Sequence, residues 1–112
     1  GLTPMVALGE LSYQSGFQLA PQVITPQTSA LVCASDTIAM GVSKYLQQQE
    51  REQPPIQVCG IGNTPLLHFL FPDTLTIELG YGRAGVKAAQ QLLDQLSNSQ
   101  PIQQIIIPGQ LV

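Results

Sequence analysis

Few residues in this 112-residue chain could do chemistry, and none is grouped as catalysis requires. His68 is the only histidine and lies within Leu66 to Phe71, LLHFLF. No serine or cysteine stands at a spacing that would make a nucleophile and base with it. Gln14-Ser15-Gly16 does not complete a G-x-S-x-G elbow. No second histidine or cysteine pair completes a metal set. A solitary imidazole among leucines and phenylalanines reads as structural. Cys33 and Cys59 sit in apolar runs and read as buried free thiols. The expectation is a protein that binds without transforming its ligand, with no catalytic residue, metal or cofactor.

Two polar turns remain, each between an apolar run and a helical pattern. Ser35-Asp36-Thr37 follows Ala30 to Ala34. Asp36 stands where a helix N-cap belongs, its carboxylate able to accept from free helix N–H groups. The same turn could offer hydroxyl and carboxylate groups to a polar ligand such as a sugar, and the two roles are compatible. Gly60-Ile61-Gly62-Asn63-Thr64 takes the equivalent place after the next run. It begins like G-x-G-x-x-G, but Pro65 replaces the third glycine and no acidic residue follows at the expected distance, which argues against a dinucleotide. Asn63 and Thr64 remain suitable donors to a ligand rich in hydroxyl or phosphoryl oxygens.

The elements needed to hold these turns alternate along the chain. Met5 to Leu8 reads as a short strand, and Ser12 caps a helix that Pro21 should kink or end near Ala20. Val23 to Ser29 is a connector. Ala30 to Ala34 suits a strand covered on both faces, and Ile38 to about Gln48 suits a helix, followed by a polar run closed by Pro54-Pro55. Ile56 to Gly60 is the next strand, Leu66 to Leu70 a short helix, and Leu75 to Glu78 a further strand. Tyr81 to Leu96 is the clearest helix, with Val86, Ala89, Leu93 and Leu96 on one apolar stripe and Arg83, Lys87, Gln90 and Asp94 opposite. Ile102 to Ile107 is a β-branched strand ended by Pro108-Gly109. The alternation gives an α/β fold with a parallel sheet, and its carboxyl edge, where the turns fall, is where such sheets bind ligands.

Composition narrows the partners. Apolar residues make up 44% and charged residues only 10%, so glutamine supplies much of the polar surface. The net charge is −3, with Lys44, Arg51, Arg83 and Lys87 the only basic side chains, which excludes a basic stripe for a nucleic-acid duplex. No apolar run approaches the roughly 18 residues of a membrane helix, and no signal peptide opens the sequence. A cytoplasmic location is expected, in a chain that starts without methionine and reads as a fragment. LLHFLF is too apolar for one short helix to hide entirely; core packing and an exposed interface patch, extended by Met40 and Phe17, are both open from composition alone.

The motifs ALVCASDTIAMG, VCGIGNTP, the Pro72-x-x-Leu75-Thr76 strand, GYGRAG and IIIP, in that order and spacing, resemble the lactose/galactose-repressor family. The resemblance covers nearly the whole chain. It implies a parallel-sheet, three-layer lobe of a two-lobe effector domain shaped like a periplasmic binding protein. It implies a bacterial repressor that closes on a sugar effector, here trehalose 6-phosphate or a related sugar, and thereby controls a headpiece on operator DNA. Residues 1–78 would be the C-terminal lobe, and 79–112 a crossing segment whose helix and strand belong with the other lobe; the headpiece lies outside this chain. By the same resemblance Glu10, Ser35, Asp36, Thr37, Asn63 and Tyr81 face the effector. Leu11 and Gly62 depart from the family pattern, which puts the lactose-type contact aside, and phosphate-binding arginines would lie outside this chain. A homodimer would form through Phe17, Met40, Leu67, Phe69 and Leu70. An unpaired Ile102 to Ile107 edge is an aggregation liability, so it should pair with another copy or with further chain. The alternatives are a sugar-binding protein of a transporter, distinguished by what precedes residue 1, and a small α/β enzyme.

Overall fold

Two of the helices open on a serine whose side chain bonds the helix backbone, whereas Thr64 before the third makes no such bond. The Ser12 hydroxyl accepts from Ser15 N–H at 3.0 Å and opens α1 (Tyr13–Val23). Pro21 does not end this helix. It falls in the last turn, where one lost N–H bond is tolerable, and Ile24 N–H still reaches the Ala20 carbonyl at 3.1 Å. After β1 (Ala30–Val32), α2 (Asp36–Gln48) begins on Ser35, whose hydroxyl accepts from Ile38 N–H at 3.2 Å. The cap is therefore Ser35, and Asp36 is the first helical residue. β2 (Gln57–Ile61), α3 (Pro65–Leu70) and β3 (Leu75–Glu78) follow, then α4 (Tyr81–Asn98) and β4 (Gln110–Leu111).

The computed structural model describes residues 3–49, 55–98 and 101–112. The stop assigned to Pro54-Pro55 falls largely outside them, and α2 closes at Gln49, whose N–H reaches Leu46 O. The sheet runs β1-β2-β3-β4, the first three strands parallel and β4 antiparallel to β3. The register sets Leu31 beside Val58 and Gly60 beside Thr76 on one face. That face carries the core, in which Ala20, Cys33, Ala39, Met40, Val42, Val58 and Leu67 pack together under α1, α2 and α3. α1 and α2 cross closely because Gly16 and Gly41 lack side chains. A Cβ on Gly16 would strike the Ile38 carbonyl, and one on Gly41 the Tyr13 carbonyl.

The opposite face corrects three expectations. β1 is not covered on both sides, since Val32 is 79% exposed. Met5 to Leu8 forms no strand; it runs along an opening of about 570 Å³ beside β1 and α1 without joining the ladder. Ile102 to Ile107 forms no strand either, and Ile102 and Ile106 are exposed. Ile105 and Ile107 lie over α4, where Gln91 Nε2 donates to Gln103 Oε1 at 2.9 Å. β-branched composition favours a strand only where a neighbouring backbone is in reach, and the short antiparallel pairing instead goes to Gln110 and Leu111. The expected stripe of α4 forms, but Val86, Leu93 and Leu96 face outward. This arm draws the chain out: the radius of gyration is 18.3 Å, against about 13 Å for a compact chain of this length.

Candidate functional site

The carboxyl ends of the three parallel strands are tied together by one side chain. Asp36 is buried, and its two carboxylate oxygens accept from different elements: Oδ2 from Thr64 N–H and Oδ1 from the Thr76 hydroxyl, both at 2.6 Å. The fully buried Thr76 hydroxyl in turn accepts from Asn63 N–H at 3.0 Å. A carboxylate can be kept in such a place because it is hydrogen-bonded on both oxygens. The turn after β2 closes with Gly62 N–H on Ile77 O at 2.8 Å. Gly62 has φ +135° and Asn63 φ +54°, backbone conformations that glycine and asparagine accept at least cost.

The residues singled out from the sequence divide accordingly. Ser35, Thr37 and Asn63 stand half-buried at the ends of β1 and β2, on one sheet edge. Asp36 is not available there, because its oxygens are spent on Thr64 and Thr76 and it is closed off from solvent. Tyr81 opens α4 just past β3 and is 69% exposed. Glu10 is exposed in the segment before α1, where its carbonyl accepts from Ser12 N–H at 3.0 Å. Glu78, beside Tyr81 in sequence, pairs with Arg83 at 3.6 Å on the surface. Such exposed pairs contribute little.

His68 has a partner that the sequence did not reveal. Its Nε2 lies 2.6 Å from Asn63 Oδ1, which ties α3 to the turn five residues earlier. Thr76 was missed as well, hidden in a strand whose other residues gave no sign of a polar role. The apolar patch divides too. Leu67 is fully buried in the core, and Met40, nearly as buried, lines the cleft beside Phe17 and Leu70. Phe69 is 83% exposed, while Phe17 and Leu70 border a cleft of about 500 Å³ shared with Tyr13, Gly41 and Phe71. Phe17 meets Tyr45 edge-to-face at 5.7 Å.

Cys33 and Cys59 are both free, Cys33 buried and Cys59 only half so. The register explains the difference: Cys59 pairs with Val32 on the open face, and Cys33 points to the core side with Leu31. Burial, and after it the charge of Cys59, pushes the Cys33 thiol up from 9.0 to about 11. Among the described residues no group of three or more His, Cys, Asp or Glu could hold a metal ion, and no helix is long and apolar enough to cross a membrane.

What this geometry offers is an edge of hydroxyl and amide groups at the ends of parallel strands, with an exposed tyrosine opening the helix after β3. Residues 5–112 match the family described as the periplasmic binding protein-like domain. The chain belongs to that family. Over 98% of its length it is 46% identical to the HTH-type transcriptional regulator TreR of Escherichia coli K12, of which it covers 34%. The solved trehalose repressor from Escherichia coli superposes with a TM-score of 0.87 at 46% identity, over 99% of this chain and 43% of that one. The Lac repressor bound to ONPG in its repressed state is 26% identical with a TM-score of 0.76, over 93% of this chain and 33% of that one. The lactose/galactose-repressor resemblance read from the motifs is matched by these proteins. The chain spans about a third of the length of the curated relatives it matches. For a periplasmic binding protein-like domain the mixed sheet with parallel β1 to β3 is the expected architecture.

Proposed function

We propose that this chain is part of the effector-binding domain of a sugar-responsive transcriptional repressor. Its effector would be trehalose 6-phosphate or a related sugar, and no bond in the effector would be made or broken. The observation that carries this reading is the edge itself: Ser35, Thr37 and Asn63 gather at the ends of adjacent parallel strands, with Tyr81 exposed at the start of the helix that follows β3. Similarity over nearly the whole chain to the regulator TreR and to the solved trehalose repressor supports a regulator that responds to a trehalose-type sugar. The regulators among the relatives give the transporter alternative no support.

In this reading residues 1–78 form one jaw, and residues 79–112 cross towards a second jaw outside this chain. Operator DNA is bound by a headpiece also outside it, in keeping with the net charge of −3. Regulation is a population shift, in which the effector binds one arrangement of the jaws better than the other. Phe17, Met40 and Leu70, which line the cleft of about 500 Å³, and the exposed Phe69 are the surface for a homodimer, with Leu67 buried beneath it, and Glu10 approaches the mouth from before α1.

Calorimetry on the full-length protein with trehalose 6-phosphate, and with trehalose as comparison, tests the effector. Binding to neither sugar overturns the assignment. Tyr81→Ala removes an exposed ring without opening the core, so affinity should fall by about tenfold, as for one aromatic contact, with the melting temperature unchanged. Wild-type affinity in that variant removes Tyr81 from the site.

A further inference from the structure

We infer that His68 is a positioning residue for the effector edge: its ring N–H holds the Asn63 side-chain oxygen and so presents the Asn63 amide N–H2 to the ligand. The inference rests on the effector reading above and adds a residue and a polarity to it. The 2.6 Å contact joins His68 Nε2 to Asn63 Oδ1. An amide oxygen can only accept, so the imidazole carries its proton on Nε2. A carboxamide is planar with oxygen and nitrogen on opposite arms, so fixing one fixes the other.

The backbone beneath is fixed independently. Asn63 N–H goes to the Thr76 hydroxyl at 3.0 Å, and the next N–H, of Thr64, goes to Asp36 at 2.6 Å. Asn63 cannot swing with its peptide, and its one remaining freedom is the side chain that His68 holds. Asn63 Nδ2 donates no hydrogen bond to another described residue, which leaves its N–H groups for a ligand. Two fixed donors at a strand end suit a ligand of acceptor oxygens, whether sugar hydroxyls or a phosphoryl group. They reject a group that can only donate. The lone histidine thus keeps a structural place in α3 while setting the hydrogen-bond polarity of a neighbouring turn.

The test uses titration calorimetry of the full-length protein with trehalose 6-phosphate and with trehalose, together with melting temperatures. His68→Phe keeps a planar ring and removes the donor; affinity should fall about tenfold, the worth of one ordered hydrogen bond. His68→Gln, whose amide N–H2 can reach the same oxygen, should restore affinity to within about threefold of wild type. Asn63→Asp keeps the left-handed backbone and the acceptor for His68 but loses both donors, and should lose more than His68→Phe. A larger loss with trehalose 6-phosphate than with trehalose would assign the donors to the phosphoryl group, and equal losses to the sugar hydroxyls. Wild-type affinity in His68→Phe overturns the inference. So does an equal loss in His68→Phe and His68→Gln, which would make the ring a packing element only. A wild-type protein that binds neither sugar brings down the effector reading beneath it, a failure visible before any variant is made.

Discussion

The part of the molecule built on β1 to β3 and the arm built on α4 use the same material differently. Both contain an amphipathic helix and a β-branched run. In the first, Ala39, Met40 and Val42 of α2 meet Val58 and Leu67, and the polar ends are drawn together by Asp36. In the arm, Leu93 and Leu96 repeat at helical spacing yet face outward, and Ile102 and Ile106 follow with no ladder partner. Amphipathic pattern decides which element forms. Burial is decided by whether the complementary face lies in the same chain. The uncovered stripe of α4 fits a crossing segment whose partner is the second jaw proposed above.

That contrast can be broken by substitution. The largest effect should come from Leu67→Ala, which deletes a fully buried side chain and should cost about 2–5 kcal/mol in urea denaturation. Asp36→Ala should come close behind, at about 3 kcal/mol, because it strands the Thr64 N–H and the Thr76 hydroxyl without their acceptor. A cost no larger than that of an average surface change would show that the carboxylate does not hold the strand ends. A smaller effect is expected at alkaline pH. The Cys33 thiol is raised from 9.0 to about 11 in the folded chain, so the unfolded chain releases this proton first. The contribution is intact below pH 9 and is lost as pH rises from 9 to about 11. Cys33→Ala should flatten that part of the stability profile, and an unchanged slope would place the loss elsewhere. The smallest effect belongs to the arm: Leu93→Gln should shift the unfolding of this chain by less than about 0.5 kcal/mol. If it costs as much as Leu67→Ala, the arm is packed and the contrast fails.

How much of this was legible depended on the reach of each signal. β3 was bounded correctly at Leu75 and Glu78 because the breakers lie beside it. α4 was found from its stripe, and α2 from its caps, but the exchange between Ser35 and Asp36 could not be read locally. Both residue types cap helices, and what decides between them is that Asp36 is claimed by Thr64 and Thr76, 28 and 40 residues away. Met5 to Leu8 and Ile102 to Ile107 carry strand composition, and composition does not reveal whether a neighbouring backbone is within hydrogen-bond distance. At the edge, Ser35, Thr37 and Asn63 were legible as turn residues following apolar runs. The pairing of His68 with Asn63 was not, because it depends on the positive φ of Asn63 and on where α3 starts after it.

The φ of +54° at Asn63 bears on how relatives of this protein should be compared. Only asparagine, aspartate and glycine occupy that backbone region readily. Invariance at this column of an alignment would therefore arise from backbone geometry even among proteins with unrelated ligands. A change there from asparagine to aspartate or glycine is the informative event, since the turn survives it while the surface offered to the ligand changes sign or disappears.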